Sequence, residues 1–184
     1  MPLGERDDET VGMTAAIDLL RDAFDRVHGT VHAVLDDSTP ERLGFRADAQ
    51  ANSAAWLVWH LTRVQDDHLA PLAGREQLWI SGGFHERSGL PFPAQTNGYG
   101  MEPAEVAALA AVPAELLAEY YDAVHEQTLA YLDTLEDADL ARVVDEDWDP
   151  PVTLAVRLVS VIDDDTQHAG QAAFSAGLAE RAGL

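Results

Sequence analysis

Apolar residues in this chain recur at spacings of three and four, and that period admits helices and little else. From Met13 to about Leu35 the stripe is Ile17, Leu20, Phe24, Val27, Val31 and Val34, with Thr10 or Thr14 placed to cap its start. A second helix is expected from Asn52 or Ser53, through Ala54, Leu57, Leu61 and Val64, to a break at Pro71–Gly74. A third follows Pro113 and carries Leu116, Leu117, Tyr120, Val124, Leu129 and Leu132 to about Leu135. A fourth is capped by Thr153 and runs to about Ala179. Strand-like alternation is not evident. Between Leu72 and Val112 the pattern fails among scattered Gly and Pro residues, with one short helix expected around Pro103–Ala111. The expectation is all-α: a four-helix bundle with a long irregular connection between its second and third helices.

Composition narrows the function classes. The 184 residues, 47% of them hydrophobic, suit one domain spanning 1–184, with residues 1–12 expected to be flexible. Asp and Glu number 33 against 11 Lys and Arg, a net charge of −22, which repels phosphate backbones and anionic lipid headgroups. Nucleic acid and membrane partners are therefore not expected. With no cysteine, thiolate metal sites and cysteine nucleophiles are excluded, so any metal must bind nitrogen and oxygen. The start MPLGERDDET has no apolar run behind a basic segment, and a cytoplasmic protein is expected. Neither a Gly-rich phosphate loop nor a Gly-x-Ser-x-Gly elbow occurs.

Bundles build ligand sites from polar residues on inward faces. At about 100° per residue, His60 falls on the side of Leu57 and Val64 in the second helix. His168 shares a face with Leu154, Val161 and Ala172 in the fourth, and Asp164 precedes it by one turn. Two imidazoles and a carboxylate supply three N/O ligands for a divalent transition metal and leave a position open for water or substrate. Asp165, at i, i+3 from His168, is the competing carboxylate. His28 and His32 sit on the flank of the first helix and read as half-buried polar residues; His125 reads as a packed or hydrogen-bonded residue of the third. His68, with Asp67, could fix the tautomer of His60. His85, Glu86 and Arg87 read as solvated loop.

The segments Trp56-Leu57-Val58-Trp59-His60-Leu61 and Asp164-Asp165-Thr166-Gln167-His168-Ala169-Gly170-Gln171 resemble the two signature helices of the DinB-like superfamily, which includes mycothiol-dependent maleylpyruvate isomerases. The resemblance spans about Met13 to Leu178. It implies a four-helix bundle, a divalent metal (zinc or nickel foremost) and the ligand set His60, Asp164 and His168. Asp164 stands where the family more often has His or Glu, and it is preferred over Asp165 on the family pattern alone. By the same resemblance the function is transfer or isomerisation of a low-molecular-weight thiol such as mycothiol, with the thiol and an electrophile as partners. Hydrolysis at the same site and a non-catalytic bundle that binds a metal or small ligand are the alternatives. A homodimer is expected because bundle faces often pair.

Overall fold

The structure, a computed structural model, describes residues 15–36 and 38–184. The expected flexible stretch 1–12 and the caps at Thr10 and Thr14 lie outside the described residues. Four long helices form the bundle: α1 (Ala15–Leu35), α3 (Ala54–Leu72), α7 (Ala114–Leu132) and α8 (Leu154–Arg181). Short helices lie between them: α2 (Pro40–Leu43), α4 (Leu78–Ser81), α5 (Phe84–Ser88) and α6 (Pro103–Ala108). Helix α3 packs chiefly on α8 and α7, while α1 lies against α8 and α7 on the other side. No helix among the described residues is long and apolar enough to cross a membrane.

Local chemistry sets the helix starts. The Ser53 hydroxyl accepts from the Trp56 amide at 3.2 Å and the Thr153 hydroxyl from the Val156 amide at 3.4 Å, each satisfying one amide that has no partner in the first turn. Pro113 precedes α7 with extended backbone, and the helix begins at the next residue. Two features depart from the sequence reading. The connection 73–113 is not irregular throughout, because its Gly residues punctuate short helices: Gly83 and Gly89, both with positive φ, bracket α5. A two-stranded antiparallel ribbon, β1 (Val143–Asp145) and β2 (Val152–Thr153), precedes α8. It is too short to register as alternation.

The largest departure concerns α3. Its expected apolar stripe becomes burial on every side, with residues 54–66 all buried, Thr62, Arg63, Gln65 and Asp66 included. The connection supplies the missing cover, since Trp79, Phe84, Leu90 and Phe92 join the core around Trp59. The charged residues enclosed by this cover are paired. Arg63 Nη1 lies 3.6 Å from Asp66 Oδ2, and Asp66 also accepts from the Tyr120 hydroxyl (2.8 Å) and the amides of Leu78 (3.0 Å) and Trp79 (2.8 Å). Burial pushes the Asp66 carboxyl up from its usual range, and all these donors oppose that rise. The Arg63 guanidinium donates to the Thr96 carbonyl and lies 5.6 Å from the Trp79 ring centroid.

Removing one member of a buried ion pair strands the other. Asp66→Ala should therefore lower unfolding free energy by about 3–5 kcal/mol in urea titrations, whereas Arg63→Met/Asp66→Leu together should cost less than Asp66→Ala alone. Equal costs would show that the pair is not acting as a unit.

Candidate metal centre

Helices α3 and α8 bring His60, Asp164 and His168 together, with one potential ligand atom from each lying within 4.8 Å of the others. The imidazole centroids are 4.8 Å apart and the ring planes meet at 65°. Each ring is oriented through Nδ1. His60 Nδ1 is 2.5 Å from the Asn97 carbonyl, and His168 Nδ1 is 2.8 Å from the Asp164 carbonyl one turn earlier in its own helix. A carbonyl only accepts, so both rings carry their proton on Nδ1 and present Nε2 as a lone-pair donor. Asp164 Oδ2 is buried without a hydrogen-bond partner in this structure, and lies 3.5 Å from His168 Nδ1. A buried carboxylate oxygen without a donor is costly unless a cation sits beside it. Two imidazoles and this oxygen are the donor set that suits a divalent transition metal, so the residues present fit such an ion.

The surroundings favour neutral imidazole at His60. Burial lowers its pKa, the Asn97 carbonyl opposes that shift, and the neighbouring His168 adds to it. Trp56 stacks on the His60 ring at 4.6 Å and Tyr99 meets it edge-on at 5.4 Å. Helix α3 is buried at this point, whereas Tyr99 is 67% exposed and stands at the outer rim. Asn97 is held by its neighbours, because Thr96 accepts from buried Arg63 and Gly98 adopts φ 109° directly against the ring. A Cβ at position 98 would lie 2.3 Å from His60 Nδ1, so only glycine lets the backbone approach this closely.

The two candidate carboxylates separate cleanly. Asp164 joins the two histidines, whereas Asp165 is fully buried with neither oxygen hydrogen-bonded. Burial, with the Asp164 charge adding to it, drives the Asp165 carboxyl well up from its usual range. His68 does not orient His60. Its Nδ1 lies 3.3 Å from Arg157 Nη1, and Asp67 instead accepts from Gln77. Asn97 and Gly98 are the positioning residues that sequence reasoning missed, for their part is backbone geometry with no side-chain signature. His85 belongs to α5, not to a solvated loop, with its Nε2 3.0 Å from the Phe92 carbonyl, while Arg87 pairs with Glu119. A surface groove of about 570 Å³ is lined by Asn52 and Leu57 on one side and Gln167, Gln171 and Phe174 on the other; it does not include the three ligand candidates.

The chain is an all-α bundle of the DinB-like class, with imidazole and carboxylate donors brought together from facing helices. Within that class the chain belongs to the mycothiol-S-transferase family, whose model, described as Mycothiol-S-transferase, matches residues 19–175. It is also similar to the crystal structure of a conserved protein from Enterococcus faecalis, at 34% identity and a TM-score of 0.79, over 86% of this chain and 94% of that one. No curated protein matches the chain.

Gly98→Ala adds strained backbone and a collision with His60. It should lower the melting temperature and weaken metal uptake at the centre by about tenfold or more, as measured by competition with a chromogenic chelator. Unchanged uptake would show that the 96–98 segment does not orient His60.

Proposed function

We propose that this chain is a metal-dependent transferase for a low-molecular-weight thiol of the mycothiol type, with a divalent ion (zinc or nickel foremost) held by His60, Asp164 and His168. The observation that carries this reading is the convergence of His60 and His168, each ring held through Nδ1, on Asp164, whose Oδ2 is buried without a hydrogen-bond partner, with one possible ligand atom of each residue within 4.8 Å of the others. The family match supplies the thiol. When bound, a divalent cation lowers the pKa of a thiol and favours the thiolate at neutral pH.

The chain's own residues then have defined tasks. The Asn97 carbonyl and the α8 backbone fix which nitrogen each histidine presents, so no rotamer search precedes binding. Trp56 closes one side of His60, buried and with its indole N–H 3.2 Å from Met101 Sδ, and excludes water from that face. Tyr99 stands at the exposed rim and offers an aromatic edge and a hydroxyl to an incoming thiol or electrophile. Burial and the nearby Asp164 charge raise its pKa, so at neutral pH that hydroxyl is a hydrogen-bond donor.

The same proposal takes residues 1–184 as one functional unit, placed in the cytoplasm, where low-molecular-weight thiols are kept reduced. It also takes a homodimer as the working assembly, for which exposed Val156, Val159 and Phe174 on α8 offer apolar surface.

Elemental analysis of untagged protein purified without chelator should find a divalent transition metal that His60→Ala/His168→Ala lacks at this centre. The metal-loaded protein should conjugate mycothiol to a test electrophile such as monochlorobimane, and the double variant should lose that activity. Metal bound without thiol transfer would favour a non-catalytic binding bundle; no uptake at these residues would end the reading. Asp164→Asn should cost far more metal affinity than Asp165→Asn, and the reverse order would exchange the two carboxylates.

A further inference from the structure

A second set of converging donors lies on the other side of the bundle. His28 and His32 are one turn apart on α1, and Asp122 reaches them from α7. Asp122 Oδ1 is 3.0 Å from His28 Nε2 and 2.7 Å from His32 Nε2, so both nitrogens point at one oxygen. Adjacent donor atoms at about 2.1 Å from an ion lie about 3.0 Å apart in an octahedral shell and about 3.4 Å apart in a tetrahedral one, so the two Asp122 contacts are near that spacing and small side-chain shifts would open the cluster around an ion. A carboxylate oxygen can accept from both rings, so the same three side chains serve either as a hydrogen-bonded cluster or as ligands to one ion; what points to the ion is that two imidazoles and a carboxylate from two helices place one possible ligand atom each within 4.8 Å of the others.

The rings are held in this arrangement from behind. His28 stacks on His125 at 4.5 Å and on Tyr121 at 5.7 Å, and His125 is itself buried and tied through Nε2 to Asp25 at 3.0 Å. His32 Nδ1 faces Asp36 Oδ1 at 3.8 Å, beyond direct hydrogen-bond distance, so Asp36 adds negative charge beside the ring without fixing it. The side chains of His28, His32 and Asp122 are 35%, 28% and 41% exposed, which leaves an open side for water and for exchange with solvent.

We propose that His28, His32 and Asp122 form a second divalent-metal site that clamps α1 to α7. Two imidazoles and one carboxylate select a borderline ion such as zinc, nickel or copper(II) over magnesium or calcium, which prefer oxygen. Ligands drawn from two helices make the ion a cross-link, so its occupancy stabilises the folded chain. The site is independent of the thiol-transferase reading, since it shares no residue with His60, Asp164 and His168.

The test is a zinc titration of chelator-treated full-length protein against a chromogenic chelator, with far-ultraviolet circular dichroism confirming that each variant is folded. His28→Gln/His32→Gln should bind one equivalent fewer than the parent and lose the part of the zinc-induced rise in melting temperature that the parent shows. Asp122→Asn should weaken that same equivalent by about tenfold or more. His60→Ala/His168→Ala should retain it, which separates failure of this proposal from failure of the thiol-transferase reading. Unchanged stoichiometry in folded His28→Gln/His32→Gln would overturn the second site, and so would absence of zinc binding in folded His60→Ala/His168→Ala.

Discussion

The buried pair of Arg63 and Asp66 is the constraint on which the candidate centre depends. Two charges taken from water carry a desolvation cost that their mutual attraction alone does not offset. Here the offset comes from donors and acceptors on three other segments: the first amides of α4, the Tyr120 hydroxyl on α7 and the Thr96 carbonyl. Satisfying the pair therefore fixes the path of the chain from α3 through α4 to the 96–98 stretch. That path ends with the Asn97 carbonyl on His60 Nδ1 and Gly98 against the ring. A structural ion pair three residues from His60 thus orients a histidine that it does not touch.

The two halves of the centre are organised differently. On α8 the helix suffices, because the Asp164 carbonyl holds His168 Nδ1 and the i, i+4 spacing places the Asp164 carboxylate beside the same ring. On α3 the orienting group comes from a segment 37 residues away in sequence. The helix turn also explains why Asp164 and Asp165 part company: consecutive residues differ by about 100°, so one carboxylate borders His168 while the other is driven into the core. Asp165 is then a buried acid that favours its neutral form, and burial likewise pushes the Tyr121 hydroxyl to higher pKa.

The apolar period made the four long helices legible, and Ser53 and Thr153 marked two of their starts within a residue. The residue pattern placed His60 and His168 on inward faces, and the structure brings them together. What escaped the sequence has a common physical cause, which is that the partner lies far along the chain. Arg63, Gln65 and Asp66 occupy what an amphipathic reading assigns to solvent, and only the cover of Trp79, Phe84 and Phe92 encloses them. His28 and His32 read as a polar flank because Asp122 is 90 or more residues away and gives no local signal. Asn97 and Gly98 act through a carbonyl and a missing Cβ, which a residue pattern does not encode.

Charge connects these local arrangements. A net charge of −22 draws cations of every kind toward the surface, and it favours magnesium and calcium as much as any transition ion. Carboxylates alone would add no discrimination. Imidazole nitrogens do, because they suit borderline ions, so selectivity in either cluster rests on the histidines and on the carbonyls or carboxylates that orient them. The same field disfavours a thiolate near the protein, since it raises the cost of any new anion. On the proposed reading, thiol ionisation must be driven by positive charge held within contact distance and little screened by water, which is what a half-buried centre between α3 and α8 provides.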